Sequence, residues 1–328
     1  MDSLIFSINA ILPIILIVAL GYFLKKKGFM TEKFAKMSNR LVFHFFLPSM
    51  LFLNIYKIED LTSINLGFAL YALIVVLIIF VIGVFIVNLI ASKKESRGVL
   101  LQGTFRSNYA LIGIPLAKAL FGDEGVLIAG LLSAIIVPLF NILAVISLSI
   151  YSSNGDKPNL KKILLNILKN PLIQSIVLGI AVVLIRQIFV SQGIGFRLNS
   201  ITPLFSALNS LSNLATPLAL LSLGAQFEFS AVGALKKEII FGTLMRTVFV
   251  PIIGLGGAYF LFNGTFNGAH FAAFVATFAT PVAVSSVPMA QEMHGDTVLA
   301  GQLVVWTTLF SALSVFIASF LLKFVGIF

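Results

Sequence analysis

Two short stretches of the chain place polar side chains inside otherwise apolar sequence. Their polar members are Arg106, Ser107, Asn108, Tyr109, Thr280, Ser285 and Ser286. A guanidinium can clamp a carboxylate through two parallel hydrogen bonds, and hydroxyl and amide groups can add further bonds. These residue types therefore predict a binding site for a small organic anion, and none of them is predicted to be catalytic.

Helix-breaking residues accompany both stretches. Gly113 and Pro115 follow the first stretch, and Pro281 and Pro288 belong to the second. Proline removes a backbone donor, and in hydrocarbon such a break persists only where it is buried in protein or lines a cavity. The half-helix after each break points its free N–H groups and its positive dipole end at the bilayer midplane. We therefore predict an anion held where two broken helices cross.

Several of these features also have plainer interpretations. Arg106 either belongs to the site or extends its side chain to the cytoplasmic face. Arg246, in another apolar segment, has the same ambiguity, and extension to the surface or a structural pair is favoured over a place in the site. His44, His270 and His294 have no metal-ligand spacing, and the chain contains no cysteine, so we predict neither a metal site nor a cofactor.

The amino-acid composition indicates that these breaks lie in a lipid bilayer. Of 328 residues, 59% are hydrophobic and 10% are charged, whereas a soluble domain carries about 25% charged residues. Ten apolar segments reach the roughly 20 residues that span a bilayer. They lie at residues 4–24, 35–56, 66–91, 98–121, 125–151, 171–191, 201–226, 238–262, 268–293 and 297–324. The sequence thus predicts an all-α polytopic membrane protein with ten transmembrane helices in the cell membrane.

Basic residues indicate how these segments are oriented. The net charge is +10, and the Lys and Arg residues cluster between apolar segments, so we interpret them as topology signals and expect no nucleic-acid partner. With the N-terminus outside, one set of loops holds fifteen of these residues and the other set holds five. The first set is assigned to the cytoplasm, and both termini are then outside.

An internal repeat relates the two halves of the chain. Residues 104–125 and 277–298 match at a constant offset of 173, with seven identities in 22 ungapped positions. Pro48 in the second segment has a counterpart, Pro217, in the seventh. Because each half holds an odd number of helices, the two repeats cross the membrane in opposite senses. We predict a first repeat at residues 1–151, a cytoplasmic linker at 152–170 and a second repeat at 171–328.

Four stretches of the chain resemble the auxin efflux carrier family, especially its short prokaryotic members. They read FRSNYALIGIPLAKALFGDEGV, NRLVFHFFLPSMLF, TPLALLSLG and ATPVAVSSVPMAQ. The resemblance implies a fold like that of sodium/bile-acid symporters and sodium/proton antiporters. Helices one, two, six and seven would form a scaffold, and helices three to five and eight to ten a mobile transport domain. Elevator-type alternating access and homodimerisation through the scaffold are implied as well.

The resemblance to this family extends to individual residues. The family's crossover Asn-Tyr pair matches Asn108 and Tyr109, and its crossover prolines match Pro115, Pro281 and Pro288. The Asn-Arg pair of helix two matches Asn39-Arg40. We expect Asn39, Pro48 and Pro217 on the scaffold side of the site. Substrates such as malate, malonate or auxin-like acids follow from this resemblance.

The acidic residues bear on energy coupling. All twelve fall in loops or near predicted helix ends, whereas ion-coupled carriers usually keep a carboxylate at depth. An inside-negative potential favours anion exit by about 2.3 kcal/mol per charge per 100 mV, which suffices for uncoupled efflux. Sodium- or proton-coupled carboxylate symport and a receptor or scaffold without flux are the alternatives. An enzyme is not expected, because the chain lacks the motifs HExxH and GxSxG and a paired Asp.

Overall fold

The protein is described by a computed structural model that covers residues 2–58, 65–152, 160–262 and 264–328. Its regular elements there are all helical. Those of the first half are α1 Asp2–Lys26, α2 Glu32–Leu41, α3 Leu47–Tyr56, α4 Leu66–Ile90, α5 Lys94–Phe105, α6 Ile114–Ile150 and α7 Leu160–Lys169. Those of the second half are α8 Pro171–Ser191, α9 Thr202–Gln226, α10 Ala231–Ala234, α11 Lys236–Leu244, α12 Gly257–Phe262, α13 Gly268–Phe278, α14 Ser286–Glu292 and α15 Thr297–Phe324.

Six helical stretches within the described ranges are long and apolar enough to cross a membrane. They are Leu66–Ile90, Tyr109–Ile150, Pro171–Ser191, Thr202–Gln226, Lys236–Phe262 and Thr297–Phe324. Large apolar side chains on their outer faces, such as Phe85 and Phe260, are exposed. A water-soluble monomer rarely exposes so much apolar surface, so the chain is a polytopic membrane protein.

The longest of these stretches turns back on itself. The backbone of Phe121 and Gly122 is non-helical inside α6, and Gly122 has a φ of 55°, which a residue with a side chain rarely adopts. A Cβ on Gly125 would collide with the Ala117 carbonyl oxygen, so the two arms touch on either side of the turn. We call the arms together, residues 109–150, the α6 hairpin. Its turn lies between the segments predicted at 98–121 and 125–151.

The predicted second segment forms one helical rod, to which α2 and α3 both contribute. A π-helical turn at Val42–Phe46 joins them, and Pro48 follows this turn as the second residue of α3. The proline has no N–H to donate within the rod, and the irregular turn lies directly before it. The rod packs on α8 and α9. The contact between α1 and α9 is very close, because Gly21 faces the Leu221 carbonyl and Gly224 faces that of Val18. Small residues allow backbones to approach in this way.

The predicted linker at 152–170 contains a helix. Its residues 153–159 lie outside the described part of the chain, but α7 occupies Leu160–Lys169. The helix is amphipathic: Ile167 packs against the hydrophobic core, whereas Leu164 and Leu168 are exposed. Ten residues were too few to be recognised as a span, so the sequence analysis did not predict this helix.

Candidate functional site

The two predicted breaks are present, and they touch each other. Helix α5 ends at Phe105 and α13 ends at Phe278, which is 173 residues further along, the offset of the sequence repeat. Beyond these ends, Ser107 pairs with Val282 in an antiparallel bridge. The Asn108 N–H donates to the Pro281 carbonyl at 2.8 Å. Each interrupted segment therefore satisfies part of the other's exposed backbone.

Beyond the breaks, the chain resumes as helix on both sides, but unequally. A π-helical turn at Tyr109–Gly113 leads into α6, with Pro115 in the first turn. The other break extends to Ser285, and α14 after it has only seven residues, Pro288 among them. The helix that begins at Tyr109 runs to the turn of the α6 hairpin, so it is longer than α14 and has the larger dipole.

The side chain of Arg106 is turned into the protein and does not extend to the surface. Only 2% of the residue is exposed. Its Nη2 donates to Asn141 Oδ1 and to Ser285 Oγ, each at 2.9 Å. Its Nη1 donates to Gln102 Oε1 at 3.1 Å and contacts Met289 Sδ at 3.0 Å. All four partners are neutral, and none of the ion pairs found among the described residues involves Arg106.

A cavity of about 50 Å³ lies beside this arginine. Its lining combines polar residues of the two breaks with mostly apolar residues of α3 and α9. The lining residues that matter here are Arg106, Ser107, Asn108, Tyr109, Asn141, Ser285, Leu47, Met50, Leu51, Ala215, Thr216 and Ala219. The hydroxyl of Ser107 and Nδ2 of Asn108 are buried without a hydrogen-bond partner. The cavity therefore presents unused hydrogen-bonding groups next to a cation.

A larger cavity of about 560 Å³ adjoins the first. The two share Ala110 and Val137 in their walls, and the larger one extends to Asn54 and Lys57 at the end of α3. At the opposite end of the α2–α3 rod, α2 contacts α14. Asn39 Nδ2 donates to Gln291 Oε1 at 3.1 Å, and Gln291 Nε2 donates to the Lys36 carbonyl at 2.9 Å. Among the described residues, the larger cavity thus leads towards the crossing from the α3 end of the rod.

The other predicted residues lie around the cavity without all reaching it. Thr280 and Ser286 are buried and are not part of its lining. The Tyr109 hydroxyl donates to the Ala129 carbonyl at 2.8 Å, so this hydroxyl is already used within the α6 hairpin.

Pro48 and Pro217 are absent from the lining of the cavity, although their neighbours Leu47 and Thr216 belong to it. Asn39 lies away from the cavity, in the contact between α2 and α14.

Gly113 has a packing role at the crossing. A Cβ added there would lie 3.0 Å from both the Cβ and the carbonyl oxygen of Ala276 in α13. The residue therefore lets the hairpin approach the first half of the other broken helix closely.

Two further residues of the site are not predicted from the sequence. Asn141 and Gln102 hold the Arg106 guanidinium, and both are buried in helices. Asn141 is a lone amide in the apolar run IIVPLFNILAV, and a polar residue inside a span is a signal of function. Gln102 has no such signal, because it lies near the predicted end of its segment.

The chain is similar over most of its length to known membrane transport proteins. A family model described as "Membrane transport protein" matches residues 6–319. An uncharacterized transporter of Methanocaldococcus jannaschii is 28% identical over 261 residues, which cover 77% of this chain and 78% of that protein. One of Methanothermobacter thermautotrophicus is 24% identical over 315 residues, covering 94% and 96%. The uncharacterized transporter YfdV of Escherichia coli is 26% identical over 308 residues, covering 89% and 90%.

The broken helices, the apolar exterior and a family match over nearly the whole chain lead to one conclusion. The chain belongs to the auxin efflux carrier family of membrane transport proteins.

Proposed function

We propose that the chain carries small carboxylates across the cell membrane and binds the carboxylate group against Arg106. The observation that carries this proposal is a buried guanidinium whose partners are all neutral. An unpaired buried charge costs free energy, which an anion of the right size offsets. The site therefore selects an anionic guest on electrostatic grounds.

The surrounding groups support the same guest. Ser107 Oγ and Asn108 Nδ2 are unpartnered and can donate to a carboxylate oxygen. The helix that begins at Tyr109 adds the positive end of its dipole. Discontinuous helices in other carriers aim such N-termini at anionic substrate groups.

The cavity sizes favour a division of the guest into head and tail. The cavity beside Arg106, at about 50 Å³, holds only a few water-sized groups. A carboxylate head fits there, and the rest of a short acid extends into the adjoining space of about 560 Å³. Malonate and malate are short acids of this kind.

In this proposal, the bound acid crosses the membrane by alternating access, in which the site opens first to one side and then to the other. We propose ten spans in two inverted repeats, with both termini outside, and the matched helix ends at Phe105 and Phe278 support the repeat. Spans one, two, six and seven would be the scaffold of a homodimer, and the other six would move against it as an elevator. The contact between α2 and α14 then marks the cytoplasmic side, and efflux is driven by the membrane potential.

Substitution of Arg106 tests the proposal. Purified protein with Arg106→Gln, Arg106→Lys or Arg97→Gln is compared with the original chain. Arg97 is the control, because it donates to the Ala91 and Ser92 carbonyls at the surface between α4 and α5. We expect malonate or malate to raise the melting temperature of the original and the Arg97→Gln protein, since a ligand that binds only the folded state stabilises it.

The Arg106→Gln protein should lose this stabilisation and its uptake of labelled malonate into liposomes. Arg106→Lys should retain a part of both, because an ammonium keeps the charge but not the planar fork. Unchanged affinity in Arg106→Gln would remove the arginine from the site. Binding without uptake would favour a receptor, and uptake that requires a sodium or proton gradient would favour coupled symport.

A further inference from the structure

The second buried arginine binds to the other ends of the broken helices. Arg246 is fully buried, in a π-helical turn at Met245–Phe249 that follows α11. Its Nε donates to the Thr280 carbonyl at 2.7 Å and its Nη2 to the Thr277 carbonyl at 2.7 Å. Its Nη1 donates to the Phe105 carbonyl at 3.3 Å. A single cation thus joins both interrupted helices.

These three carbonyls are the groups that an interrupted helix leaves unpaired. Phe105 is the last residue of α5, and Thr277 and Thr280 flank the end of α13. The last carbonyls of a helix lack intrahelical donors and carry the negative end of its dipole. Two such ends facing each other in the membrane interior require a cation or strong donors.

In ion-coupled carriers with discontinuous helices, unwound carbonyls and half-helix C-terminal ends coordinate the coupling sodium ion. Here a guanidinium occupies that position and is covalently attached to the chain. Because it cannot dissociate, the crossing is held together at every stage of transport without an ion from solution.

We propose that Arg246 is a tethered substitute for a coupling cation, which positions the two breaks and makes anion binding independent of sodium. The inference rests on the proposed anion site, but it concerns a separate residue that does not line the cavity. Arg246 is therefore a positioning residue, and its removal should expose an empty cation site lined by carbonyls.

The test uses Arg246→Ala, Arg246→Lys and a matched control, Arg186→Ala. Arg186 is also a buried arginine that donates to backbone carbonyls, those of Tyr56 and Ile58, but it lies away from the crossing. Two quantities are measured for each protein: the affinity for malonate, and the amide hydrogen exchange of segments 104–110 and 279–286. Both are measured in choline salt, in sodium salt and with a low concentration of guanidinium. Urea at the same concentration is the control for the effect of guanidinium as a denaturant.

We expect the original protein to bind malonate equally in choline and in sodium. Arg246→Ala should lose about tenfold in affinity, as for supporting residues of other sites, and should exchange faster in both segments. Added guanidinium or sodium should restore affinity and protection in this variant. The Arg186→Ala protein should show no cation-dependent change at the crossing, and Arg246→Lys provides a charged variant if Arg246→Ala does not fold.

The inference would be overturned by sodium-dependent binding in the original protein, or by full affinity and protection of Arg246→Ala in choline. A folded Arg246→Ala protein that sodium and guanidinium both fail to restore would also overturn it. If no carboxylate binds the original protein, the proposed function fails, whereas the exchange measurements still decide the role of Arg246.

Discussion

Arg106 and Arg246 illustrate how differently two buried arginines can be used. Arg106 meets side chains beside a cavity, whereas Arg246 meets only backbone carbonyls. In the sequence both are single cations inside apolar segments, and both were open to a surface role. Their side-chain directions depend on contacts with α6 and α13, which are distant in sequence, so local pattern alone does not predict the difference.

At the residue scale, Asn141 offers a direct test of the electrostatics. The substitution Asn141→Asp places a carboxylate next to Arg106, whose Nη2 now donates to Asn141 Oδ1 at 2.9 Å. The arginine would then be neutralised from within the protein, so we expect malonate affinity to fall by about tenfold or more, equivalent to at least 1.4 kcal/mol. Titration of malonate by calorimetry checks this expectation.

The control for this substitution is Asn141→Leu, which removes the acceptor without adding charge. This variant also loses the bond from Nδ2 to the Val137 carbonyl, at a cost of about 1 kcal/mol. It should bind malonate more tightly than Asn141→Asp does. Equal affinity of Asn141→Asp and the original chain would mean that the charge of Arg106 does not contribute to binding.

At the scale of elements, the sequence predicts the bounds of several helices closely. The predicted segment at 66–91 corresponds to α4 Leu66–Ile90, and the one at 297–324 corresponds to α15 Thr297–Phe324. Apolar length and helix breakers determine such ends locally. The sequence also predicts that the polar stretches at 106–109 and 280–286 interrupt helices. It does not predict which polar groups face the cavity, because that depends on how the two breaks pair.

Close packing at the crossing gives a prediction for Gly113. Its φ is −64°, so any residue can adopt the backbone conformation, and only space is limiting. A Cβ there would lie 3.0 Å from Ala276, so Gly113→Ala should overpack the contact with α13 and cost about 1–3 kcal/mol. The loss is measured as a lower melting temperature in detergent.

Gly130, in the second arm of the hairpin, provides the matched control. No atom lies within 4 Å of a Cβ added there, so Gly130→Ala should be neutral or stabilise the helix by about 0.5–1 kcal/mol. A melting temperature of Gly113→Ala at or above that of Gly130→Ala would contradict the tight packing described at the crossing.

At the scale of the whole molecule, the contact between α2 and α14 is where the proposed scaffold and the proposed moving body meet. Asn39 and Gln291 bond across it, and the carboxylate of Glu292 lies 4.0 Å from Arg40 and 3.9 Å from His44. An elevator movement must separate these pairs. The two bodies themselves follow from a family resemblance and remain a prediction.

Cross-linking tests this movement on a clean background, because the chain contains no cysteine. The pair Asn39→Cys and Gln291→Cys, joined by a short reversible reagent, should stop malonate uptake, and reduction should restore it. The control pair is Ser96→Cys and Asp296→Cys, since Ser96 Oγ donates to Asp296 Oδ2 at 2.7 Å and both lie within the proposed moving body. Uptake that continues in the cross-linked Asn39–Gln291 protein would contradict the elevator mechanism.

The α6 hairpin has a consequence for how ligand preference can be exchanged between relatives. Its first arm begins at Tyr109 beside the cavity, its second arm carries Asn141, and the arms are held together by the Tyr109–Ala129 bond. Most of the polar lining is therefore contributed by one uninterrupted run of chain, from Arg106 to Asn141. This run can therefore be exchanged as one segment. A chimera that receives residues 106–141 from a relative should acquire the substrate preference of the donor protein, while the remaining helices stay those of the recipient.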